Sequence, residues 1–285
     1  MLVPADRKSI LSLKSWLFTP GTKANRFHRA AEVYANALII DLEDSVAPPS
    51  KSEARDAAVK YLANIGENHL PCALRINPPH SNIGFEDLRA LLGSAAEPDY
   101  VVLPKCDSAG TISLVQSLLR ETGKSTDIIA LIESAGGVAV LEELPSLHPR
   151  PAALMFGAAD MAADLGAEPS WEPLLYSRSR IIQVAALAGI AALDGPYFDL
   201  SDEAGLRKET KASASLGFHG KCAIHPAQIQ TINEVLTPTK EEVDLARRVL
   251  AVNQRGVASL DHKMVDEAIA RRARLILARA GVAAS

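Results

Sequence analysis

The chain has few cysteines, no long apolar run and no strong excess of charge of one sign. Cys72, Cys106 and Cys222 are odd in number and widely spaced, which excludes a disulfide framework and a C-x-x-C zinc site. The longest uncharged run, residues 181–193, is too short for a bilayer span, which needs roughly 20 residues. A formal net charge of −4 argues against nucleic acid or an anionic membrane as the main partner. We therefore expect a cytoplasmic protein with reduced thiols.

The amino-terminal residues carry no recognisable secretory signal, because Asp6, Arg7 and Lys8 precede only a mixed stretch. What the chain has is length and apolar content: 285 residues, 48% of them hydrophobic. That is enough for a large core, and α/β barrels routinely use ~250 residues as one domain.

Short apolar runs alternate with helix-like segments over the first 230 residues. The runs are continuous, as in strands buried on both faces of a parallel sheet. Strand and helix repeated in this way predict an α/β fold, a (β/α)₈ TIM barrel. The seventh run is the weakest, because residues 181–193 also read as one helix, so a doubly wound open sheet is the second interpretation. In order, the runs cover residues 15–18, 37–42, 72–76, 100–103, 128–132, 153–156, 191–193 and 222–224.

Helix signals lie between the runs. Ser50-x-x-Glu53 predicts a capping box that opens a helix over residues 53–64. One helix-length segment, residues 138–147, separates the fifth and sixth runs. Glycines follow two further predicted helices, over residues 113–121 and 203–216, as expected at helix carboxyl ends.

After residue 226 the pattern predicts helices and no further strand. A short helix over residues 227–236 precedes Thr239-x-x-Glu242, a second capping box that opens a helix to about Asn253. A polar stretch then leads to a helix over about residues 265–280. The sequence thus predicts a barrel over residues 1–236 and a helical extension over residues 237–285, which would serve as a lid or an oligomer contact.

Polar side chains gather at the predicted carboxyl ends of the strands, where the active sites of such barrels lie. Glu133 follows the fifth run and Asp160 the sixth, each beside small residues. Two carboxylates at an open mouth suit Mg²⁺, although acids at strand-to-helix turns also cap helices. The strand-end set is Thr19, Asp41, Glu43, Asp44, Arg75, Asn77, Lys105, Glu133, Asp160, Asp194 and His225.

The acidic cluster Asp41, Glu43 and Asp44 follows the second run. Such closely packed acids need a cation or basic groups nearby. They can bind water around a metal ion, hold Lys51 and Arg55, or form a salt-bridge network within a loop.

Arg75, at the end of the third run, is costly to bury without an anion. That anion is a substrate carboxylate, an enolate oxygen, or a fixed partner among Asp41 and Glu43. Lys105 stands beside too many acids for the lowered pKa that Schiff-base chemistry needs, so an electrostatic role is favoured. A single strand-end histidine, His225, is more often structural than basic. This inventory favours carbon–carbon cleavage or formation next to a carbonyl.

Several motifs resemble those of the citrate lyase β-subunit-like branch of the HpcH/HpaI aldolase family, which includes malyl-CoA and citramalyl-CoA lyases. They span nearly the whole chain in the expected order. The motifs are WLFTPG at 16–21, IDLEDSV at 40–46, LRIN at 74–77, LPK at 103–105, LIESA at 131–135, FGAAD at 156–160, GFHGKCAIHP at 217–226 and MVD at 264–266.

The resemblance implies a (β/α)₈ barrel with Mg²⁺ held by Glu133 and Asp160, and a CoA or acyl-carrier thioester as substrate. It implies that Arg75 binds substrate and stabilises the enolate. We expect Glu133, Asp160, Phe18 and Lys105 to contact substrate as well. Asp41, Glu43 and Asp44 would surround the metal site.

In relatives, an aspartate on a helical lid reaches the active site of the neighbouring subunit, usually within a homotrimer. Asp266 is the matching position, and the resemblance implies a catalytic role for it. Two residues near Asp266 differ from the pattern of the relatives and bear on whether it has the same role. His262 stands where relatives often have glycine, and Ala268 where they often have proline.

The sequence therefore predicts a Mg²⁺-dependent lyase that cleaves a β-hydroxyacyl-CoA of the citryl, malyl or citramalyl type into acetyl-CoA or a homologue and a 2-oxo acid. The alternatives are a citrate lyase β subunit acting on an acyl-carrier protein thioester, a malyl-CoA thioesterase, and an aldolase on free hydroxy-oxo acids.

Overall fold

The computed structural model describes residues 10–66, 69–253, 258–260 and 263–282. Eight parallel strands, each hydrogen-bonded to the next in chain order, close into a barrel, because β8 also pairs with β1. The predicted (β/α)₈ barrel is confirmed, and the open doubly wound sheet is wrong. The barrel strands are β1 (Ser15–Pro20), β2 (Ala37–Asp41), β3 (Cys72–Arg75), β4 (Tyr100–Leu103), β5 (Asp127–Ile132), β6 (Ala153–Phe156), β7 (Ala191–Asp194) and β8 (Gly220–Ala223).

Helices follow the strands and cover the outside of the barrel. Short 3₁₀ turns occupy Ile10–Ser12, Gly21–Arg26, Pro48–Ser50 and Val140–Ser146. The α-helices are α1 (Arg29–Glu32), α2 (Lys51–Leu62), α3 (Asn82–Leu92), α4 (Ala109–Glu121), α5 (Ala135–Ala139), α6 (Ala158–Leu165), α7 (Leu175–Ala188), α8 (Glu203–Leu216), α9 (Gln228–Leu236), α10 (Lys240–Asn253) and α11 (Glu267–Arg279).

The core has two parts. Outward-facing strand residues pack under the helices, and inward-facing residues fill the barrel. At the amino end the interior is closed by Leu13 and Trp16, with the turn Ile10–Ser12 packed against them. Higher up, Leu131 of β5 and Met155 of β6 are register partners and both face inward. The strand-end polar residues lie above this pair, at the carboxyl end of the barrel.

Two local expectations differ from the structure. Ser50 does not cap α2, because the turn Pro48–Ser50 runs directly into the helix and leaves Ser50 at φ −97°, ψ 0° rather than in the extended geometry of a capping residue. The segment over residues 138–147 is not one regular helix. It is the end of α5 followed by a 3₁₀ turn with Pro145 inside it.

The seventh strand is separate from the helix before it. Helix α7 ends at Gly189, whose φ of +68° lies in the left-handed region that glycine adopts readily, and β7 begins at Ala191. The continuous helix over residues 181–193 is therefore not formed.

The carboxyl-terminal segment packs at the amino end of the barrel. Helix α11 contacts the turn Ile10–Ser12, and Arg279 Nη2 donates to the carbonyl of Phe218, which precedes β8. Lys14 Nζ, before β1, donates to Thr237 Oγ1. The capping box of Thr239 with Glu242 is confirmed by hydrogen bonds of 2.8 and 3.2 Å.

The expectation that no strand follows the barrel is wrong. Residues Ala258–Leu260 (β9) and Lys263–Val265 (β10) form an antiparallel pair before α11. His262 lies outside the described residues, whereas Ala268 lies in the first turn of α11. Among the described residues, no helix is both long enough and apolar enough to cross a membrane. Cys72, Cys106 and Cys222 are buried free thiols.

Candidate active site

A cavity of about 500 Å³ opens at the carboxyl end of the barrel. Residues from six strand ends (β1, β2, β3, β5, β6 and β8) and from the loop after β7 line it, as expected for this fold. One side carries acids and one arginine, and the other is largely apolar. The lining residues that the sequence singled out are Phe18, Asp41, Asp44, Arg75, Glu133 and Asp160.

Glu133 is fixed beneath the cavity by its neighbours on both sides. Its carboxylate Oε1 accepts a hydrogen bond of 2.8 Å from the backbone N–H of Lys105. Lys105 has a φ of +50°, a left-handed conformation that costs a non-glycine residue of order 1 kcal/mol. On the other side, Gly157 leaves room for the carboxylate. Only 2% of Glu133 is exposed, so these contacts determine where its oxygens lie.

Asp160 lies in the first turn of α6 and faces the same cavity. Neither acid caps the helix that follows its strand: Ser134 caps α5 through a 2.9 Å bond from Gly137 N–H, and Gly157 is the capping position of α6. The capping interpretation of Glu133 and Asp160 is therefore wrong. Both carboxylates are left for a cation.

Lys105 already brings one cation to the two carboxylates. Its ammonium lies 3.5 Å from Asp160 and 3.9 Å from Glu133, and it donates to Glu43 at 3.2 Å. Burial opposes the charged amine, but the carboxylates of Glu133, Glu43 and Asp160 together raise the pKa of Lys105 above its ordinary value. A Schiff-base role is therefore disfavoured, as the sequence predicts, because that chemistry needs a neutral amine.

Arg75 is held in a fixed orientation by the acidic cluster. Its Nε and Nη2 donate to the two carboxylate oxygens of Asp41 at 2.6 and 2.8 Å. Its Nη1 lies 3.0 Å from Glu43 and 3.5 Å from Asp44, and its guanidinium lies 4.9 Å from the ring centroid of Phe18. The fixed ion pair is thus formed, and it aims the guanidinium at the cavity.

Asp41 is the centre of this arrangement. Besides Arg75, it accepts the backbone N–H of Glu43 at 2.9 Å and of Ser45 at 3.2 Å. Burial favours the neutral acid, but these bonds hold the pKa of Asp41 below its ordinary value.

Lys51 and Arg55 do not bind the carboxylates of this cluster. Lys51 Nζ donates to the carbonyls of Leu42 and Glu43 and to Asn77, and Arg55 pairs with Asp87 and Glu86. Lys51 therefore supports the loop backbone, and Arg55 links α2 to α3.

The electrostatics of Glu133 suit a divalent cation as a partner. Burial and then the neighbouring Glu43 raise the pKa of Glu133 to about 8. Within the described ranges, no group of three or more His, Cys, Asp or Glu residues could hold a metal. Mg²⁺ does not need one, because it is commonly held by one or two carboxylates and completes its octahedron with water and substrate oxygens. The donor set of Glu133 and Asp160 therefore suits Mg²⁺ and not a closed structural zinc site.

Asp194 and His225 lie at strand ends but do not line the cavity. Asp194 is fully buried between Lys221 Nζ at 2.7 Å and Arg178 Nε at 3.2 Å. His225 is exposed, and its Nδ1 accepts the N–H of Ala227 in the adjoining loop. Asp194 supports the β7–α8 connection, because Lys221 also donates to the carbonyl of Gly195.

The sequence did not single out the apolar wall of the cavity. It comprises Pro196 and Phe198 from the β7–α8 connection, Ile224 after β8, and Leu131 and Met155 beneath. No local pattern marks these residues, since apolar side chains in strands and loops are common.

A second groove, of about 340 Å³, adjoins the cavity. It shares Phe18, Pro20 and Ile224 with the cavity and carries Arg26, Arg29 and His225. In the sequence, the three-residue spacing of Arg26 and Arg29, typical of one face of a helix, could have indicated this groove.

Within the described part of the chain, Asp266 makes no hydrogen bond or ion pair with a residue that lines this cavity. It caps α11, where its Oδ1 accepts the N–H of Ile269 at 3.0 Å. The other end of the same helix rests on the amino end of the barrel, opposite the cavity. The structure therefore groups Arg75, Glu133, Asp160, Lys105 and Phe18 but not Asp266.

Comparisons with known proteins agree with this architecture. The chain matches the HpcH/HpaI aldolase/citrate lyase family over residues 14–226. The citrate lyase subunit beta of Escherichia coli K12 is 36% identical over 283 residues, which covers 94% of this chain and 93% of that protein. The L-malyl-CoA/beta-methylmalyl-CoA lyase of Rhodobacter capsulatus is 32% identical over 299 residues and 94% of each chain.

A solved structure adds bound ligands in a relative. The protein CitE from Mycobacterium tuberculosis, in complex with magnesium, acetoacetate and coenzyme A, is 32% identical and has a TM-score of 0.79. The match covers 95% of this chain and 98% of that one. The chain described above therefore belongs to the HpcH/HpaI aldolase/citrate lyase family and is a carbon–carbon lyase.

Proposed function

We propose that this chain is a Mg²⁺-dependent lyase that cleaves a β-hydroxyacyl-CoA thioester into acetyl-CoA or a homologue and a 2-oxo acid. The observation that carries the proposal is the convergence of Glu133 and Asp160, unused as helix caps, with the guanidinium of Arg75 at one cavity. Relatives named as citrate lyase β subunit and malyl-CoA lyase support the thioester, and the magnesium in CitE supports the metal.

Glu133 and Asp160 would hold the metal, which when bound polarises the hydroxyl or keto oxygen of the substrate. The first turn of α6 would hold the substrate carboxylate. Ala158 and Ala159 line the cavity there, and no side chain caps this helix. Free N–H groups at a helix amino end bind anions. The small side chains let a carboxylate approach the backbone.

Arg75 would stabilise the charge that cleavage creates. A base removes the substrate's hydroxyl proton, the carbonyl of the 2-oxo acid forms, and the carbon–carbon bond breaks with its electron pair passing to the thioester as an enolate. A proton on the enolate carbon then gives the acetyl thioester. Asp41 holds the Arg75 guanidinium in place throughout, so little reorganisation is needed as the enolate charge develops.

The basic groove beside the cavity would bind the phosphates of CoA. Arg26 and Arg29 line it, and Phe18 and Ile224 are common to groove and cavity. Guanidinium groups suit phosphate through paired hydrogen bonds. The thioester end of the ligand would then lie towards Arg75.

The carboxyl-terminal extension, residues 237–285, would act on a neighbouring subunit of a homo-oligomer, with a trimer favoured by the family resemblance. Helix α11 docks on the amino end of its own barrel, so a lid role over its own cavity fits the packing poorly. Asp266 of a neighbour would then supply the acid/base group. The buried free thiols Cys72, Cys106 and Cys222 suit a cytoplasmic location.

The test is an assay of the purified chain on citryl-, malyl- and citramalyl-CoA with Mg²⁺ and with a chelator. Glu133→Ala and Asp160→Ala should each abolish Mg²⁺-dependent cleavage. The matched control is Asp164→Asn, one turn further along α6, where the side chain binds the N–H of Ala135 outside the cavity. Full activity in either alanine variant would refute the metal assignment.

The products distinguish the alternatives. Free malate instead of a 2-oxo acid would identify a thioesterase, and cleavage of free 4-hydroxy-2-oxo acids without CoA would identify an aldolase. Activity only on an acyl-carrier protein thioester would identify a subunit of a citrate lyase complex.

A further inference from the structure

The floor of the cavity beside the metal-binding acids is apolar. Leu131 lies near the end of β5 and precedes Glu133, which follows the strand, by two residues, so both side chains point to the same side and line the cavity. Met155 is the register partner of Leu131 on β6 and also faces inward. The two side chains therefore lie next to each other directly beneath Glu133. Both line the cavity, with 3% and 1% of their surfaces exposed.

The wall facing the acids is apolar as well. Pro196 and Phe198 from the β7–α8 connection, with Ile224 after β8, complete it. Phe198 is 52% exposed and Ile224 38% exposed, although both are large and apolar. A substrate group that lies between this wall and the Leu131–Met155 floor meets hydrocarbon on two sides.

Within the described part of this chain, no cation at the cavity is left for a second substrate carboxylate. Among the described residues that line the cavity, Arg75 is the one basic residue. The carboxylate oxygens of Asp41, Glu43 and Asp44 surround its guanidinium. Lys105, behind the acids, faces three carboxylates of its own. A further carboxylate would be desolvated beside the existing acids without a partner, which is strongly unfavourable.

We propose that the 2-oxo acid half of the substrate carries one carboxylate only, and that its remaining substituent is a methyl group packed on Leu131 and Met155. The inference rests on the proposed lyase function and names its substrate class. That class is a thioester whose hydroxyl-bearing carbon has one carboxylate and one methyl group. A carboxymethyl substituent, as in a citryl thioester, is excluded by its charge.

Condensation of acetyl-CoA with three acceptor acids in the presence of Mg²⁺ tests the proposal. Pyruvate supplies the methyl group, oxaloacetate replaces it with a carboxymethyl group, and glyoxylate has hydrogen. We expect kcat/KM for pyruvate to exceed that for oxaloacetate by about 100-fold and that for glyoxylate by about 10-fold. Oxaloacetate within tenfold of pyruvate would overturn the charge argument, and a preference for glyoxylate would overturn the methyl contact.

A matched pair of variants tests the reason for the preference. Ile224→Arg adds a guanidinium to the apolar wall at a partly exposed position and should raise kcat/KM for oxaloacetate at least about tenfold. Ile224→Met keeps the wall apolar and should give no such gain. An Ile224→Arg protein that retains activity on pyruvate but gains none on oxaloacetate would contradict charge as the cause.

Calorimetric titration of the Mg²⁺-loaded protein with pyruvate and with oxaloacetate separates this inference from the proposed function. Tighter binding of pyruvate supports the inference even if no thioester is formed or cleaved, in which case the proposed function alone fails. Thioester formation with oxaloacetate preferred refutes only the inference. Binding of neither acid would overturn both.

Discussion

Gly157 lies directly against the side chain of Glu133. A β-carbon at position 157 would be 2.5 Å from the Glu133 β-carbon and 2.7 Å from its Oε2. Real β-carbons essentially never come so close to other atoms, and the Glu133 β-carbon cannot move without its strand. The glycine after β6 therefore holds open the place that the Glu133 carboxylate occupies after β5.

Gly157→Ala should displace the Glu133 carboxylate and weaken Mg²⁺ binding by at least about tenfold. Titration calorimetry with Mg²⁺ measures this effect. The control is Gly136→Ala in α5, where the new β-carbon would meet its nearest neighbour at an ordinary 3.5 Å. Unchanged affinity in Gly157→Ala, with both variants folded, would show that Glu133 does not determine metal binding.

Arg75→Lys should lower kcat/KM for thioester cleavage by about 100-fold, because an ammonium cannot bind both oxygens of Asp41 and keep a planar face towards the enolate. Steady-state kinetics measures the loss. Arg55→Lys makes the same exchange in the buried pair with Asp87, away from the cavity. It should affect thermal stability but not kcat, and an equal loss of kcat in both variants would argue against a direct role for Arg75.

Lys221→Met should destabilise the fold by about 3–5 kcal/mol, because it leaves the fully buried Asp194 with only Arg178 and removes the partner of Glu209. Chemical denaturation measures the free energy of unfolding. Lys208→Met on the exposed face of α8 should change it by less than about 0.5 kcal/mol. Similar values for the two variants would show that the buried network contributes nothing.

The stability of the protein should fall in acid partly through His219. Burial and then the positive charge of Arg279 lower the pKa of His219 to about 4, and its Nδ1 accepts the N–H of Ala192. Between pH 6.5 and 4 the unfolded chain binds a proton at this site and the folded chain does not, so stability decreases as the pH falls through this window.

His219→Gln removes this proton uptake while keeping an acceptor for Ala192. We expect its free energy of unfolding to fall by roughly 3 kcal/mol less than that of the wild type between pH 7 and 4. His80→Gln, at an exposed position, is the control and should follow the wild type. Parallel pH profiles for all three proteins would contradict the burial of a neutral His219.

Asp266→Ala and Glu133→Ala should each be inactive, and co-expression of the two variants should restore part of the activity. Recovery is expected because a site with an intact Glu133 can receive Asp266 from the other chain of a mixed oligomer. Activity of the separately purified and of the co-expressed proteins is compared. A mixed oligomer without activity would place Asp266 in its own subunit's site or outside the reaction.

The barrel was predictable because buried parallel strands are continuous apolar runs, which a sequence displays directly. The strand β7 was ambiguous only because helix α7 before it is equally apolar, and Gly189 is the residue that separates them. The hairpin before α11 was missed because strands of three residues carry too little pattern to detect.

The acids and Arg75 were predictable from their position after these runs, but their partners were not. Lys51 lies close to the acidic cluster in sequence, yet it binds carbonyl groups, while Arg75 takes the carboxylates from the next strand. Which charges pair depends on strand register and side-chain direction, and these are fixed only when the barrel closes.

The sequence by itself determined the strand order, the strand-end positions of Glu133, Asp160 and Arg75, and the family, because each follows from local pattern and motif. Only the tertiary structure decided that Asp194 is buried with Lys221, that Gly157 makes room for Glu133, and that the cavity has an apolar wall. These are contacts between segments far apart in the chain, and close packing in the closed barrel creates them.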